Sequence, residues 1–92
     1  MRDSLIVSYD LCGRGEGSPD YGPLIEAIKE YGYWGKLMLS TWIIVTANSA
    51  EEVRDNLAQH LKPDDRIFVG PLGKPAAWRN VIADSDWLKD RP

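Results

Sequence analysis

The first stretch of the chain has a run of apolar positions that is typical of a β-strand. Residues 4–10 are rich in aliphatic and β-branched side chains, which favour extended backbone. Successive side chains point to opposite faces, so Val7 lies on one face and Ile6 on the other. Because both faces carry a large apolar residue, we expect a central strand that is covered on both sides.

Three further runs have the same character. Residues 33–39 and 41–47 are predicted to form a hairpin, and residues 66–70 are predicted to form a short last strand. The run from Trp42 to Val45 is apolar on both of its faces. This strand is therefore also expected to be buried on both sides.

Two segments repeat apolar residues with the period of an amphipathic helix. The first covers residues 23–31, where Pro23 suits the first helical position. The second covers residues 49–61, where Ser49 and Glu52 have the spacing of a capping box. Both segments are predicted to be helices that pack their apolar side on the sheet.

The predicted order is strand, helix, strand, strand, helix, strand, which corresponds to an α+β fold. Right-handed crossovers then give a ferredoxin-like βαββαβ sandwich, a four-stranded antiparallel sheet with two helices on one face. We expect a single domain over residues 1–92, with a core over 1–70 and a C-terminal extension over 71–92. The extension contains Trp78 and Trp87 among polar residues, so it is expected to pack on the domain or on a second copy.

The sheet face without helices presents a difficulty for a monomer. It is expected to expose Ile6, Phe68 and one side of Trp42–Val45. Monomeric proteins rarely expose so large an apolar patch. We therefore expect a homodimer that buries this face.

Charge and composition restrict the classes of function. The net charge of −3 and the pI of about 5.0 argue against an affinity that rests on many phosphate contacts. The single cysteine, Cys12, cannot form an internal disulfide, which favours a reducing, cytoplasmic location. Neither a membrane span nor a signal peptide is predicted, since apolar runs are short and the first strand begins at once.

The segment 11–23 has glycines at positions 13, 15 and 17 and is predicted to be a flexible surface loop. A phosphate-binding cradle is the alternative, although the spacing matches neither a dinucleotide fingerprint nor a Walker loop. Cys12 as a nucleophile is a further alternative, but the only histidine, His60, is predicted at the far end of the second helix. One histidine and one cysteine are too few for a zinc site.

Several stretches resemble the small CRISPR-associated adaptation protein numbered two among the Cas proteins, and more closely its SinR-like relatives. The stretches are Tyr9-Asp10, residues 24–31, Ser40-Thr41-Trp42, residues 64–69, Ala76-Ala77-Trp78 and Trp87-Leu88-Lys89. The resemblance covers nearly the whole chain and implies a ferredoxin-like homodimer with the first-strand aspartates near its two-fold axis. It also implies nucleic acid or a CRISPR adaptation integrase as a partner. Related VapD-type toxins share the fold and act on RNA.

Asp10 is the candidate site residue, and two functions are open. The resemblance implies that Asp10 helps to hold Mg²⁺ or Mn²⁺ for cleavage of RNA or DNA, where Ser8 could assist metal-bound water. Alternatively, the protein is a non-catalytic assembly or binding module in which Asp10 caps the glycine loop. The family usually has a cluster of Arg and Lys in the loop after this aspartate, whereas this loop has Arg14 together with the acidic Glu16 and Asp20. Because a nuclease needs basic residues to bind its substrate, the non-catalytic module is preferred.

Overall fold

A computed structural model describes residues 2–12 and 21–92. Within these ranges the chain forms β1 (Asp3–Asp10), α1 (Gly22–Lys29), β2 (Trp34–Met38), β3 (Thr41–Thr46), α2 (Ala50–Ala58), β4 (Arg66–Pro71) and α3 (Ser85–Asp90). The glycines at positions 13, 15 and 17 lie outside the described residues, and so do the loop and cradle predictions made for them. In the described ranges, no helix has both the length and the apolar character needed to cross a membrane.

All four strands begin and end within one residue of their predicted limits. The second helix, however, ends at Ala58 rather than at residue 61. The N–H of His60 donates to the carbonyl of Leu57, and the N–H of Leu61 donates to that of Ala58. These bonds span three residues instead of four, so the last turn is wound more tightly than an α-helix.

The predicted helix ends are confirmed where local hydrogen bonding determines them. Ser49 Oγ accepts from the N–H of Glu52 at 3.1 Å, and Glu52 Oε1 accepts from the N–H of Ser49 at 2.9 Å. This is the capping box that begins α2. Pro23 lies in the first turn of α1, and Gly32 follows that helix with a φ of 83°, a conformation that favours glycine.

The sheet has the strand order β2-β3-β1-β4, and every neighbouring pair is antiparallel. The predicted central strand, β1, is therefore hydrogen-bonded on both of its edges. Together with the order of elements along the chain, this pattern is consistent with a ferredoxin-like arrangement. The pairing of β2 with β3 shifts between Lys36 and Met38, where the ladder is irregular.

The hydrophobic core lies between one face of the sheet and both long helices. Trp42 belongs to this core, and its Nε1–H donates to Tyr9 Oη at 3.0 Å, so the polar atom of the indole is satisfied. Side chains from β1, β3, α1 and α2 share a single buried cluster, which includes Leu5, Val7, Leu24, Ile28, Ile44, Val53 and Leu57. The helices therefore pack on the same side of the sheet, as predicted.

The other face of the sheet is organised in rows that run across all four strands. The register places Gly35, Ile43, Ile6 and Gly70 in one row, and Met38, Thr41, Ser8 and Phe68 in the next. A Cβ atom on Gly35 would lie 2.7 Å from the indole ring of Trp87. Trp87 of α3 therefore packs directly on the backbone of β2, at a place where only glycine leaves room.

The C-terminal extension covers this face at the end of the sheet that holds Ser4. Ser4 Oγ donates to the carbonyl oxygen of Pro92 at 2.6 Å, and the N–H of Ile82 donates to the carbonyl of Leu37 at 3.0 Å. The prediction that the extension packs on the domain is thus confirmed. Ile43 and Val45 are only 1% and 3% exposed, so the prediction that the Trp42–Val45 strand is buried on both sides is confirmed. The exposure expected for one side of this strand in a monomer is wrong.

The remainder of this face is uncovered by the described part of the chain. Phe68 is 63% exposed and Met38 is 54% exposed, so the exposure predicted for Phe68 is confirmed. We call the region of Ser4, Gly35, Ile6, Ile43 and Val45 the covered half. The row of Met38, Thr41, Ser8 and Phe68, together with Asp10 and Arg66, is called the open half.

Candidate functional site

Asp10 lies at the end of β1, at the outer limit of the open half. Its register partner on β4 is Arg66, and Arg66 Nη1 lies 3.2 Å from Asp10 Oδ2. The side chains of Asp10 and Arg66 are 66% and 75% exposed, so water screens their attraction. The pair is therefore a surface ion pair that contributes little to stability but leaves both charges available to a partner.

Ser8 lies two residues before Asp10 on the same face of β1. Its Oγ is 3.1 Å from Thr41 Oγ1 across the β1–β3 pair. The hydroxyl group therefore has a protein partner and joins the two central strands of the open half. A contribution of Ser8 to metal-bound water remains a prediction.

An open depression of about 230 Å³ lies beside these residues. Its lining is contributed by β1 and β4 and consists of Ser8, Tyr9, Asp10, Arg66, Ile67 and Phe68. The ring of Phe68 forms its apolar edge and lies over Gly70, where a Cβ would be 2.9 Å from the ring. The depression thus places an acid, a base and an aromatic ring next to one another on an accessible surface.

The surroundings of Asp10 bear on whether this carboxylate could hold a metal ion. Among residues 2–12 and 21–92, no group of three or more His, Cys, Asp or Glu side chains is placed to hold a metal. The neighbour of Asp10 is instead the guanidinium of Arg66, whose positive charge disfavours a cation at the same carboxylate. Mg²⁺ is usually bound through one or two carboxylates together with waters and substrate phosphates, and Asp10 is the one carboxylate among the described residues that line the depression.

A different aspartate holds the start of the segment that follows β1. Asp65 Oδ1 accepts from the N–H of Cys12 at 3.1 Å, and Asp65 Oδ2 accepts from the N–H of Lys62 at 2.8 Å. The alternative in which Asp10 caps the glycine loop involves residues that lie outside the described ranges, and among the described residues its carboxylate bonds to Arg66. The sequence signal for Asp65 was its place in the turn before β4, where an aspartate side chain commonly accepts from nearby N–H groups.

Both the main chain and the side chain of Cys12 form hydrogen bonds to the turn before β4. Its Sγ–H donates to the carbonyl of Asp64 at 2.8 Å. His60 lies in the turn after α2, where its main-chain N–H bonds to Leu57. The candidate residues that the fold brings together, Ser8, Asp10 and Arg66, lie in the open half.

No model of a known protein family matches this chain.

Proposed function

We propose that this chain is a non-catalytic assembly module with a ferredoxin-like fold, and that it works as a homodimer. The order of elements and the strand order β2-β3-β1-β4 support the fold. The resemblance to the SinR-like relatives of the CRISPR-associated adaptation protein supports the class of function. A nucleic acid or a CRISPR adaptation integrase is the partner that the resemblance implies for such a dimer.

One observation carries the proposal: the open half presents an exposed aromatic ring beside an exposed pair of opposite charges. Phe68 supplies the apolar contact, and Asp10 and Arg66 supply the charges. A two-fold axis places the same patch on both sides of an interface. Across such an axis, Asp10 of one copy can face Arg66 of the other, and the reverse. A second copy of this chain therefore fits the open half.

The alternative function is a metal-dependent endonuclease that acts on RNA or DNA. One observation favours it: the Asp10 carboxylate is accessible on the surface that the dimer would share. A two-fold axis through the open half would bring two Asp10 side chains together, and two carboxylates are a common Mg²⁺ donor set. The ion pair with Arg66 opposes this function, because the guanidinium already balances the charge of Asp10.

The dimer is tested by changing Phe68→Asp and measuring mass by sedimentation equilibrium at tens of micromolar protein. The wild type is expected to be a dimer and Phe68→Asp a monomer, because a charge cannot be buried in the interface without a partner. Ala47→Asp is the control, since Ala47 is also exposed but follows β3 at the opposite end of the sheet from Phe68. A monomeric wild type, or equal effects of the two changes, would contradict the proposal.

The choice between module and nuclease is tested with Mg²⁺ or Mn²⁺ and with labelled RNA and DNA. The proposal predicts no cleavage by the wild type and unchanged folding in Asp10→Asn. Metal-dependent cleavage that Asp10→Asn abolishes would replace the module by the nuclease. Asn keeps the shape of Asp but lacks the charge that holds a metal. Cleavage that survives in Asp10→Asn would indicate a contaminant or another site.

A further inference from the structure

The sheet has two outer edges, and the chain protects them unequally. β2 forms one edge, where Lys36 lies in the strand, the ladder to β3 is irregular, and the N–H of Ile82 donates to the carbonyl of Leu37 at 3.0 Å. Lysine, irregular pairing and covering segments all hinder an edge strand from pairing with another chain. β4 forms the other edge, where Arg66 and Pro71 lie only at the two ends of the strand.

The hydrogen bonds between β4 and β1 show which main-chain groups of β4 face outwards. The N–H of Leu72 donates to the carbonyl of Ser4 at 2.9 Å, and this bond sets the alternation of bonded and non-bonded pairs along the two antiparallel strands. Phe68 therefore bonds towards β1, whereas the N–H and C=O groups of Ile67 and Val69 point away from it. No residue in the described part of the chain is hydrogen-bonded to these outward groups.

Apolar side chains flank the outward groups on both faces of the sheet. On the helix face, Ile67 and Val69 are partly buried and pack at the margin of the core together with Leu61. On the opposite face, the ring of Phe68 is 63% exposed. A strand added at this edge would cover both sets of side chains while it satisfies the main-chain groups, as in β-augmentation.

The sequence of β4 is suited to pairing with a copy of itself. When a two-fold axis passes through an antiparallel pair at Phe68, Ile67 of each copy lies opposite Val69 of the other, and the two residues exchange their outward hydrogen bonds. The two Phe68 rings become neighbours on the other face, where aromatic pairs stabilise a sheet. Arg66 then lies opposite Gly70, so like charges do not oppose one another.

We propose that a second copy of this chain binds at the edge of β4 and extends the sheet, with the two β4 strands antiparallel about Phe68. The contact lies in the plane of the sheet, whereas the homodimer proposed above covers the open half of its face. The edge is therefore a second interface, and it does not require the first. Because it rests on one short strand, it is the weaker of the two and joins dimers at high protein concentration.

Disulfide cross-linking on the helix face tests the proposed register. Ile67→Cys and Val69→Cys are prepared in a Cys12→Ser background and oxidised with copper phenanthroline, separately and as a mixture. The mixture is expected to contain severalfold more cross-linked dimer than either variant alone, because positions 67 and 69 lie opposite each other at a Cα separation of about 5.5 Å, which a disulfide can span. Equal cross-linking in the mixture and in the single variants, or none in any sample, would overturn the proposal.

The face homodimer cannot produce this result, since both cysteines lie on the helix face of the sheet. Cross-linking in the mixture would therefore support the edge contact even if Phe68→Asp left the mass of the protein unchanged. Its absence would overturn the edge contact and leave the face homodimer standing.

A proline variant tests the main-chain bonds themselves. Val69→Pro removes an outward N–H without removing a bond to β1, and proline is tolerated at such edge positions. Sedimentation from tens to hundreds of micromolar should show an average mass that rises with concentration in the wild type and stays constant in Val69→Pro. Val69→Ala is the matched control, since it keeps the N–H and should behave as the wild type.

A constant mass in the wild type, or an equal rise in Val69→Pro, would overturn the proposal. A rise that starts from the monomer would contradict the face homodimer and still support the edge contact. Circular dichroism establishes that each variant is folded, and the cross-linking experiment decides the question if Val69→Pro is not.

Discussion

The covered and open halves belong to the same sheet face, yet the C-terminal extension packs over only one of them. In the covered half, Ile43 is 1% exposed because residues of the extension pack over it. In the open half, Phe68 of the neighbouring row is 63% exposed. The extension thus covers one half, whereas the described part of the chain leaves the other half uncovered. Stability is therefore expected to depend on the covered half, and association on the open half.

The strongest test of this comparison removes a large side chain from each half. Leu88 of α3 is 2% exposed, so Leu88→Ala should lower the free energy of unfolding by about 2–5 kcal/mol. Phe68→Ala should lower it by less than about 1 kcal/mol, because most of that ring is already in water. Urea unfolding followed by circular dichroism, at a protein concentration that keeps each variant monomeric, measures both values. Similar losses in both variants would break the comparison.

A smaller effect is expected at the two glycines that end the Gly35–Ile43–Ile6–Gly70 row. A Cβ on Gly35 meets Trp87 at 2.7 Å, and Trp87 is held by stacking on Tyr33 with ring centroids 5.3 Å apart. Gly35→Ala should therefore cost about 1–3 kcal/mol of overpacking. A Cβ on Gly70 meets the ring of Phe68 at 2.9 Å, but that exposed ring can swing away.

Gly70→Ala is thus expected to change the unfolding free energy by less than about 1 kcal/mol. Thermal and urea unfolding of both glycine variants give the comparison, and Gly22→Ala is a control because nothing lies within 4 Å of the added Cβ. If Gly70→Ala were the more damaging change, Phe68 would be held in place and the open half would be more rigid than we infer.

The smallest effect is expected at the ion pair of the open half. Asp10→Asn should change the unfolding free energy by about 0–1 kcal/mol, because both partners are exposed. A double-mutant cycle with Arg66→Gln isolates the interaction between the two side chains. The interaction free energy should decrease at high salt, where exposed charges are screened. A larger, salt-independent value would show that the pair is shielded from water.

The sequence was sufficient for elements whose signals are local. The strand limits followed from runs such as Trp42–Val45, and the start of α2 followed from the Ser49–Glu52 spacing. The six-residue helix α3 was not predicted, because Trp87 and Leu88 are adjacent and too few to show a helical period. Its packing depends on Gly35, more than fifty positions earlier in the chain.

The candidate site was predictable only where its signal is local. The position of Asp10 at the end of β1 followed from the strand pattern. Its partner Arg66 is 56 positions away, and the register that joins them is set by the pairing of β1 with β4. The homodimer and any catalytic or metal-binding contribution of Asp10 stay predictions, since the fold alone does not determine them.

The central position of β1 also has a consequence for the order of events in folding. Both neighbours of β1 come much later in the sequence, since Ser8 pairs with Thr41 and Phe68. The β2–β3 hairpin, by contrast, closes through a short local turn and is expected to form before β1 is enclosed. Substitutions in the hairpin should therefore slow refolding, whereas substitutions between β1 and β4 should mainly accelerate unfolding.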